Sequence, residues 1–290
     1  MSIKNVSFVG LGVMGYPMAG HLQKNGYNVT VFNRTESKAK KWVEEYGGQM
    51  GKTPNEASLN AEIVFMCVGR DEDIIEVMEG DNGILSSAKE GLIIVDHTTA
   101  SAEIARTYFA KLQKRNVAFL DAPISGGQAG AENGALSIMI GGEENDFEVV
   151  KPVLQSYGKA IELIGPSGSG QIAKMINQIC IAGLVQGLSE AMAFGKKAKV
   201  DMEKVLSVIS KGAAQSWQME NRYRTMIDGK FDYGFAVDWM RKDLSICFNE
   251  AKKNGASLPI TEIVDKYYEE VQKNGGNRLD TSSLMTLVDK

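Results

Sequence analysis

A chain of 290 residues with a net charge of −4 is long enough for one large or two ordinary domains and lacks the general positive field that would hold a nucleic acid. No apolar run approaches the roughly 18–20 residues of a bilayer span, and the first strand begins almost at once, so neither a membrane partner nor a signal peptide is expected. Three scattered cysteines (Cys67, Cys180, Cys247) without C-x-x-C spacing point to buried, reduced thiols and a cytoplasmic setting, and two histidines (His21, His97) are too few for a histidine-based zinc site, so no metal is expected.

The first elements follow the order strand, glycine turn, helix, strand. Ile3–Val9 reads as a buried strand and Gly10-Leu11-Gly12-Val13-Met14-Gly15 follows directly. An amphipathic stretch then runs from Met14 to Lys24, before a second strand at Asn28–Phe32. In that setting G-x-G-x-x-G marks a dinucleotide site. Gly10 permits the tight turn, Gly12 the approach of a pyrophosphate, and Gly15 close packing of helix on strand. The anion would rest on the helix N-terminus, where unbonded N–H groups and the dipole favour it. The second strand ends in Asn33-Arg34-Thr35, with no acid for a ribose 2′-hydroxyl, whereas Arg34 can grip a 2′-phosphate. Thr35 and Ser37 add hydroxyls, and Lys38, Lys40 and Lys41 make the next helix start basic. NADP(H) is therefore the expected cofactor; the plainer alternative leaves Arg34 solvated and Ser37 a helix N-cap.

Further strands are expected at Ile63–Val68, Leu92–Asp96, Val117–Asp121, Leu136–Ile140 and Lys159–Leu163. Helical patterns lie between them, at Ser37–Tyr46, after a Thr53 N-cap, and at Asp73–Met78, Ala102–Lys114 and Glu144–Tyr157. Short Val/Ile/Leu-rich strands alternating with helices give an α/β, Rossmann-type, doubly wound and mostly parallel sheet over residues 1–164. Asp96-His97-Thr98-Thr99-Ala100-Ser101 then falls at the carboxyl edge of the sheet, where Thr98 and Thr99 can bond a cofactor ribose or nicotinamide, or hydroxyls simply cap the next helix. In Asp121-Ala-Pro-Ile-Ser125-Gly126-Gly127, Pro123 stops the strand and the two glycines leave bare N–H groups beside a hydroxyl. That run can cradle a small carboxylate, or be a glycine-rich turn without a ligand.

After Gly165-Pro-Ser-Gly168-Ser-Gly170 the character changes. A helix is expected from Gln171 to about Lys199, roughly 42 Å long at 1.5 Å per residue. Further helices follow at Met202–Ser210, Ser216–Met226, Val237–Asn254 and Ile260–Lys273, so residues 165–290 read as an all-helical domain. The fourteen methionines lie mostly on apolar faces as core filler. Lys174 lies about one turn into the long helix, directly after the glycine-rich junction. There it could give a proton to a carbonyl oxygen, or be an ordinary surface lysine. Asn177 and Gln178 follow on nearly the same face. Unaided, Lys242-Asp243 reads as a solvated charge pair, and Trp217 and Trp239 as core or interface aromatics.

Taken together, these segments resemble the β-hydroxyacid dehydrogenases, the group of 3-hydroxyisobutyrate dehydrogenase, tartronate semialdehyde reductase and the glyoxylate/succinic semialdehyde reductases. The matching stretches are Gly10–Gly15, Asp96–Thr99, Asp121–Gly127, Gly168–Lys174 with Asn177, and Lys242-Asp243. The resemblance implies a Rossmann-type domain, a long interdomain helix and an all-α domain that builds homodimers or homotetramers. It implies NADP(H)-linked interconversion of a small 3-hydroxy acid (3-hydroxyisobutyrate, glycerate, 4-hydroxybutyrate or glycolate type) and its semialdehyde or oxoacid. It also implies Lys174 as general acid/base, Ser125-Gly126-Gly127 as the clamp on the substrate carboxylate, Thr99 and Lys242 at the cofactor, and Phe235 and Asp243 lining the site. Many members carry Asn four residues after the lysine; here that position is Gln178, preceded by Asn177, which leaves open the amide that reaches substrate. Imine reductases share the architecture but generally lack the lysine, and 6-phosphogluconate dehydrogenase has a longer helical domain. A non-catalytic NADP-binding interaction module is the rival of another class, and the presence of Lys174 argues against it.

Overall fold

The computed structural model describes residues 3–289. The strand β1 (Asn5–Val9), the helix α1 (Gly15–Lys24) and β2 (Asn28–Phe32) form a first βαβ unit, with β1 and β2 parallel from Asn5↔Asn28 to Val9↔Phe32. Then come α2 (Glu36–Tyr46), β3 (Gln49–Met50), α3 (Pro54–Ser58), β4 (Ile63–Met66), α4 (Asp71–Glu79), β5 (Ile93–Asp96), α5 (Ala102–Gln113) and β6 (Ala118–Asp121). The sheet closes with β7 (Ile124–Ser125), α6 (Gly127–Glu132), β8 (Leu136–Gly141), α7 (Glu144–Leu154) and β9 (Gly158–Gly165). Its order is β3-β2-β1-β4-β5-β6-β8-β7, with β9 also on β8, and β8 runs antiparallel to β6 and β7.

Both faces of this sheet are covered, which is why its strands read as apolar runs rather than as alternation. Along β4, Ile63 and Phe65 enter one core with Phe8, Leu22, Trp42 and Tyr157; Val64 and Met66 enter the other with Val9, Ile74, Tyr108 and Phe119. The mostly parallel sheet is as expected. The two-residue strands β3 and β7 and the short α6 were not foreseen, because so few residues carry no period.

The remainder is helical: α8 (Ser169–Lys197), α9 (Met202–Ile209), α10 (Trp217–Ile227), α11 (Val237–Asn254), α12 (Pro259–Lys273) and, after a 3₁₀ turn at Thr281–Leu284, α13 (Met285–Val288). Asp201 and Ser216 accept from the amides three residues on and so cap α9 and α10. One core holds Ala182, Val185, Val237, Met240 and Tyr268; a second holds Leu188, Met192, Leu206, Met226 and Phe231.

The chain divides into two compact units, one ending at Lys174 and the other beginning at Met175. That lies past the composition change at residues 164–170, because the first turns of α8 are hydrogen-bonded to the loops after β5 and β6. Among the described residues α8 is the one helix long and apolar enough to cross a bilayer, contrary to the expectation that no apolar run approaches that length. Its apolar side chains Ala182, Val185, Leu188 and Met192 are buried in the cores of the second unit, which accounts for that composition. The cysteines depart from expectation: Cys247 is buried, and burial pushes its thiol up to about 12, but Cys67 is half-buried and Cys180 exposed.

Candidate active site

The three glycines of the first loop have separate tasks. Gly10 sits at φ +97°, and a Cβ there would lie 2.3 Å from the Cys67 carbonyl oxygen; at Gly15 it would lie 2.0 Å from that of Gly10. Nothing lies within 4 Å of the Cβ position of Gly12, and the next residue, Val13, is 58% exposed. Two glycines thus seat the loop on the strands while the third leaves backbone bare at the N-terminus of α1. Within that first turn the Tyr16 N–H donates to the Gly12 carbonyl (3.1 Å) and Pro17 carries no N–H, which leaves the stretch from Gly12 to Gly15 to face an anion. Such a cradle fits a dinucleotide pyrophosphate.

Leu11 and Asn33, both expected at the cofactor, are bonded to each other. The Leu11 N–H donates to Asn33 Oδ1 (2.9 Å), Asn33 Nδ2 donates to the Thr35 carbonyl (3.0 Å), and the Leu11 side chain is buried. They brace the loops after β1 and β2 against each other. Arg34 reaches outward with 91% of its side chain exposed, 3.7 Å from Asp73. Thr35 is the N-cap position of α2, so Ser37 lies inside the first turn rather than capping it, and Lys40 pairs with Glu36.

The loop after β5 sorts the Asp-His-Thr-Thr run by role. His97 is buried; its Nδ1–H donates to the Ala122 carbonyl (2.6 Å), so Nε2 accepts from the Tyr157 hydroxyl (2.8 Å). The ring stacks on Phe65, and burial pushes it down to about 4, which makes it a neutral core residue and no proton donor. Burial pushes Asp96 up to about 7 while its Oδ1 accepts from the Thr98 N–H. Thr98 Oγ1 accepts from the Val68 N–H (3.0 Å), and Ser101 caps α5 by accepting from the Ile104 N–H. Of the two threonines, Thr98 is thus built into the fold, and Thr99 is half-buried at the tip of the same loop.

The loop after β6 meets α8 directly. Asp121 is fully buried; its two oxygens accept from the Gly168 N–H (2.7 Å) and the Gln171 N–H (2.9 Å). Desolvation raises its carboxyl, against the pull of those amides. Gln171 Nε2 donates to the Thr98 carbonyl (2.7 Å), and its Oε1 accepts from the Ala100 N–H (3.0 Å). Neither residue is assigned a role from sequence alone; for Asp121 the available signal is an acid closing a buried strand just before Ala122-Pro123.

Lys174 is only 8% exposed, and its Nζ donates to the Ile124 carbonyl (2.8 Å). This burial removes the surface-lysine alternative. The ammonium is anchored on the residue next to Ser125, which is half-buried in β7 opposite Ser137. Gly126 (φ +136°) and Gly127 (φ +62°) then turn the chain into α6, with nothing within 4 Å of a Cβ at Gly127. An amine, a hydroxyl and bare glycine backbone therefore share one strand end.

In the second unit a chain of side chains joins α8 to α11. Asn177 Nδ2 donates to Gln178 Oε1 (2.8 Å), and Gln178 Nε2 donates to Asp243 Oδ2 (2.7 Å). Asp243 is 2% exposed and pairs through Oδ1 with Lys242 (3.1 Å), whose ammonium lies over the Trp239 ring. Lys242-Asp243 is thus no solvated pair. Gln178 is engaged at both ends of its amide, while Asn177 is half-buried. Phe235 packs against the core of this unit, with its N–H donating to Asp280 Oδ2 (2.9 Å).

A family profile described as the NAD binding domain of 6-phosphogluconate dehydrogenase matches residues 5–165. Another, described as NAD-binding of NADP-dependent 3-hydroxyisobutyrate dehydrogenase, matches residues 168–288. The chain belongs to the β-hydroxyacid dehydrogenase family. Among β-hydroxyacid dehydrogenase relatives, 2-hydroxy-3-oxopropionate reductase of Escherichia coli is 34% identical over 284 residues, 98% of this chain and 97% of that one. An uncharacterized oxidoreductase of Shewanella frigidimarina is 58% identical over 285 residues, 98% of each chain. The crystal structure of 3-hydroxyisobutyrate dehydrogenase from Salmonella typhimurium superposes with a TM-score of 0.88 at 26% identity, covering 98% of this chain and 99% of that one. As a member of this family the protein is an NAD(P)-binding oxidoreductase.

Proposed function

We propose that this β-hydroxyacid dehydrogenase uses NADP(H) to interconvert a small 3-hydroxy acid and the matching semialdehyde or oxoacid, with Lys174 as general acid/base. The observation that carries this reading is the buried Lys174 ammonium held on the Ile124 carbonyl, one residue from Ser125 and the bare Gly126-Gly127 backbone. When bound, the nicotinamide supplies the hydride to the carbonyl carbon, or accepts it in the oxidative direction. In reduction Lys174 gives a proton to the carbonyl oxygen; in oxidation it takes one from the hydroxyl. Ser125 Oγ and the glycine amides hold the substrate carboxylate, which orients the reacting carbon.

Asn177, one turn beyond Lys174 on α8, is the amide proposed to contact substrate, because Gln178 is bonded to Asn177 and Asp243. Thr99 and Lys242 are proposed cofactor contacts, and Phe235 and Asp243 are proposed to shape the site. The exposed Arg34 and the lack of an acid at the end of β2 support NADP(H) over NAD(H). The name of the E. coli relative supports a small oxoacid as substrate. A cytoplasmic homodimer or homotetramer completes the reading.

The test is single-turnover reduction of a panel of semialdehydes and oxoacids, each with NADPH and with NADH, by the wild type and Lys174→Ala. The wild type should reduce at least one small carboxylate-bearing carbonyl compound with NADPH. The variant should lose about 10²–10⁴-fold in rate while binding NADPH nearly as well. A loss below about tenfold would move the acid away from Lys174.

A further inference from the structure

We infer that Asp121 and Gln171 are positioning residues, which fix where Lys174 presents its amine by docking the first turn of α8 on the ends of β5 and β6. The inference rests on Lys174 being the acid/base.

Residues 121–125 touch α8 twice. At one end Asp121 takes the Gly168 and Gln171 amides; at the other the Ile124 carbonyl takes Lys174 Nζ. The strand end and the helix start thus form a closed ring, and Pro123, with its fixed φ, stiffens the strand side. The amine cannot shift along the helix axis without breaking a bond at one of the two joints.

The helix is admitted to this position by two glycines. A Cβ on Gly170 would lie 2.4 Å from the Met139 carbonyl oxygen and 2.7 Å from that of Asp121; one on Gly141 would lie 2.6 Å from Asp121 Oδ1. Gln171 supplies a third tie, donating to Thr98 and accepting from Ala100, so the loop that carries Thr99 is held to the same turn.

The caps of α5 and α10 show what is unusual here. Ser101 and Ser216 sit beside the helices that they cap, so they end a helix without locating it. The carboxylate at α8 comes from 47 residues away in the sequence and is buried. A buried carboxylate is tolerated against two amides at the positive end of a helix, and it cannot be withdrawn from them without leaving those donors unpaired. Asp121 touches neither substrate nor cofactor in this scheme; it acts through Lys174.

A double-mutant cycle tests this, with kcat, substrate KM and NADPH affinity measured for the wild type, Asp121→Asn, Lys174→Ala and the double variant. Asp121→Asn should lower kcat about 10- to 100-fold, the scale of a misplacement near 1 Å. NADPH affinity should stay within about twofold, and the double variant should be no slower than Lys174→Ala. Unchanged kcat in Asp121→Asn, or losses that multiply in the double variant, would overturn the inference. If Asp121→Asn does not fold, the same cycle is run with Gln171→Met, which removes both bonds to the Thr98–Ala100 loop at similar volume; multiplying losses there overturn it equally. Full activity in Lys174→Ala would instead refute the underlying assignment, so the two failures are distinct.

Discussion

Lys174, Asp121 and Gln171 of the first unit are anchored on backbone, whereas the candidate-site side chains of the second unit are anchored on one another. Lys174 hangs on a carbonyl, Asp121 on two amides and Gln171 on one of each. In the other unit Asn177, Gln178, Asp243 and Lys242 form a relay in which each side chain bonds to the next. Backbone at a strand end is fixed by the whole sheet, so a group bound to it keeps its place when a neighbouring side chain changes. A relay of side chains has no such reference, and losing an interior member, Gln178 or Asp243, removes a bond from two neighbours at once. Function and stability should therefore separate under mutation in the first unit and fail together in the second.

The largest effect on stability is expected from Asp243→Ala. It removes one partner from each of Gln178 and Lys242 and should lower unfolding free energy by about 3 kcal/mol, the low end for breaking a buried pair. A Tm equal to that of the wild type would erase the contrast. Arg34→Ala tests the opposite limit, an exposed side chain outside both networks. It should weaken NADPH binding about ten- to a hundredfold, leave NADH binding nearly unchanged and not move Tm; equal losses for both cofactors in calorimetry would count against the 2′-phosphate contact.

His97 sharpens the comparison through pH. Burial lowers it to about 4 from 6.5, so between those values the unfolded chain is protonated and the folded one is not. Its contribution is complete above pH 6.5 and is lost as pH falls toward 4. The stability difference between the wild type and His97→Gln should therefore grow with rising pH across that window, by at most about 1.4 kcal/mol per pH unit. A pH-independent difference would contradict a neutral His97. The smallest effect belongs to Ser125→Ala, which removes one hydroxyl from the proposed clamp. It should raise substrate KM severalfold, equivalent to about 1 kcal/mol, with NADPH affinity and Tm preserved. A loss confined to NADPH binding would place the hydroxyl elsewhere.

What could be read in advance follows the same division. The glycine loop was legible because strand, glycine turn, helix and second strand follow one another in the sequence, although the carbonyl that excludes a side chain at Gly10 belongs to Cys67. The helices of the second unit were legible from apolar spacing, though the capping by Asp201 and Ser216 was not. Lys174 was singled out by its position after a glycine-rich junction, but its burial was not visible, since spacing alone cannot say what packs over a helix face. The tasks of Leu11 and Asn33 depend on a bond spanning 22 residues, and the meeting of Gln178 with Asp243 spans 65. No local pattern encodes such pairs. The scarcity of histidine did carry information, for His97 is committed to the core at both ring nitrogens and leaves the proton-transfer role to another group.

The strand order bears on how the protein is made. β4 adds to the open side of β1, β5 to β4, β6 to β5 and β8 to β6, so each of these four strands meets an edge already made, whereas β7 waits for β8. The glycine cradle needs β1, β2 and β4, which end by Met66, whereas Lys174 emerges roughly a hundred residues later. At 5–20 residues per second, that is about 5–20 s of translation. The nascent chain thus holds every strand of the dinucleotide cradle well before it holds the proposed acid.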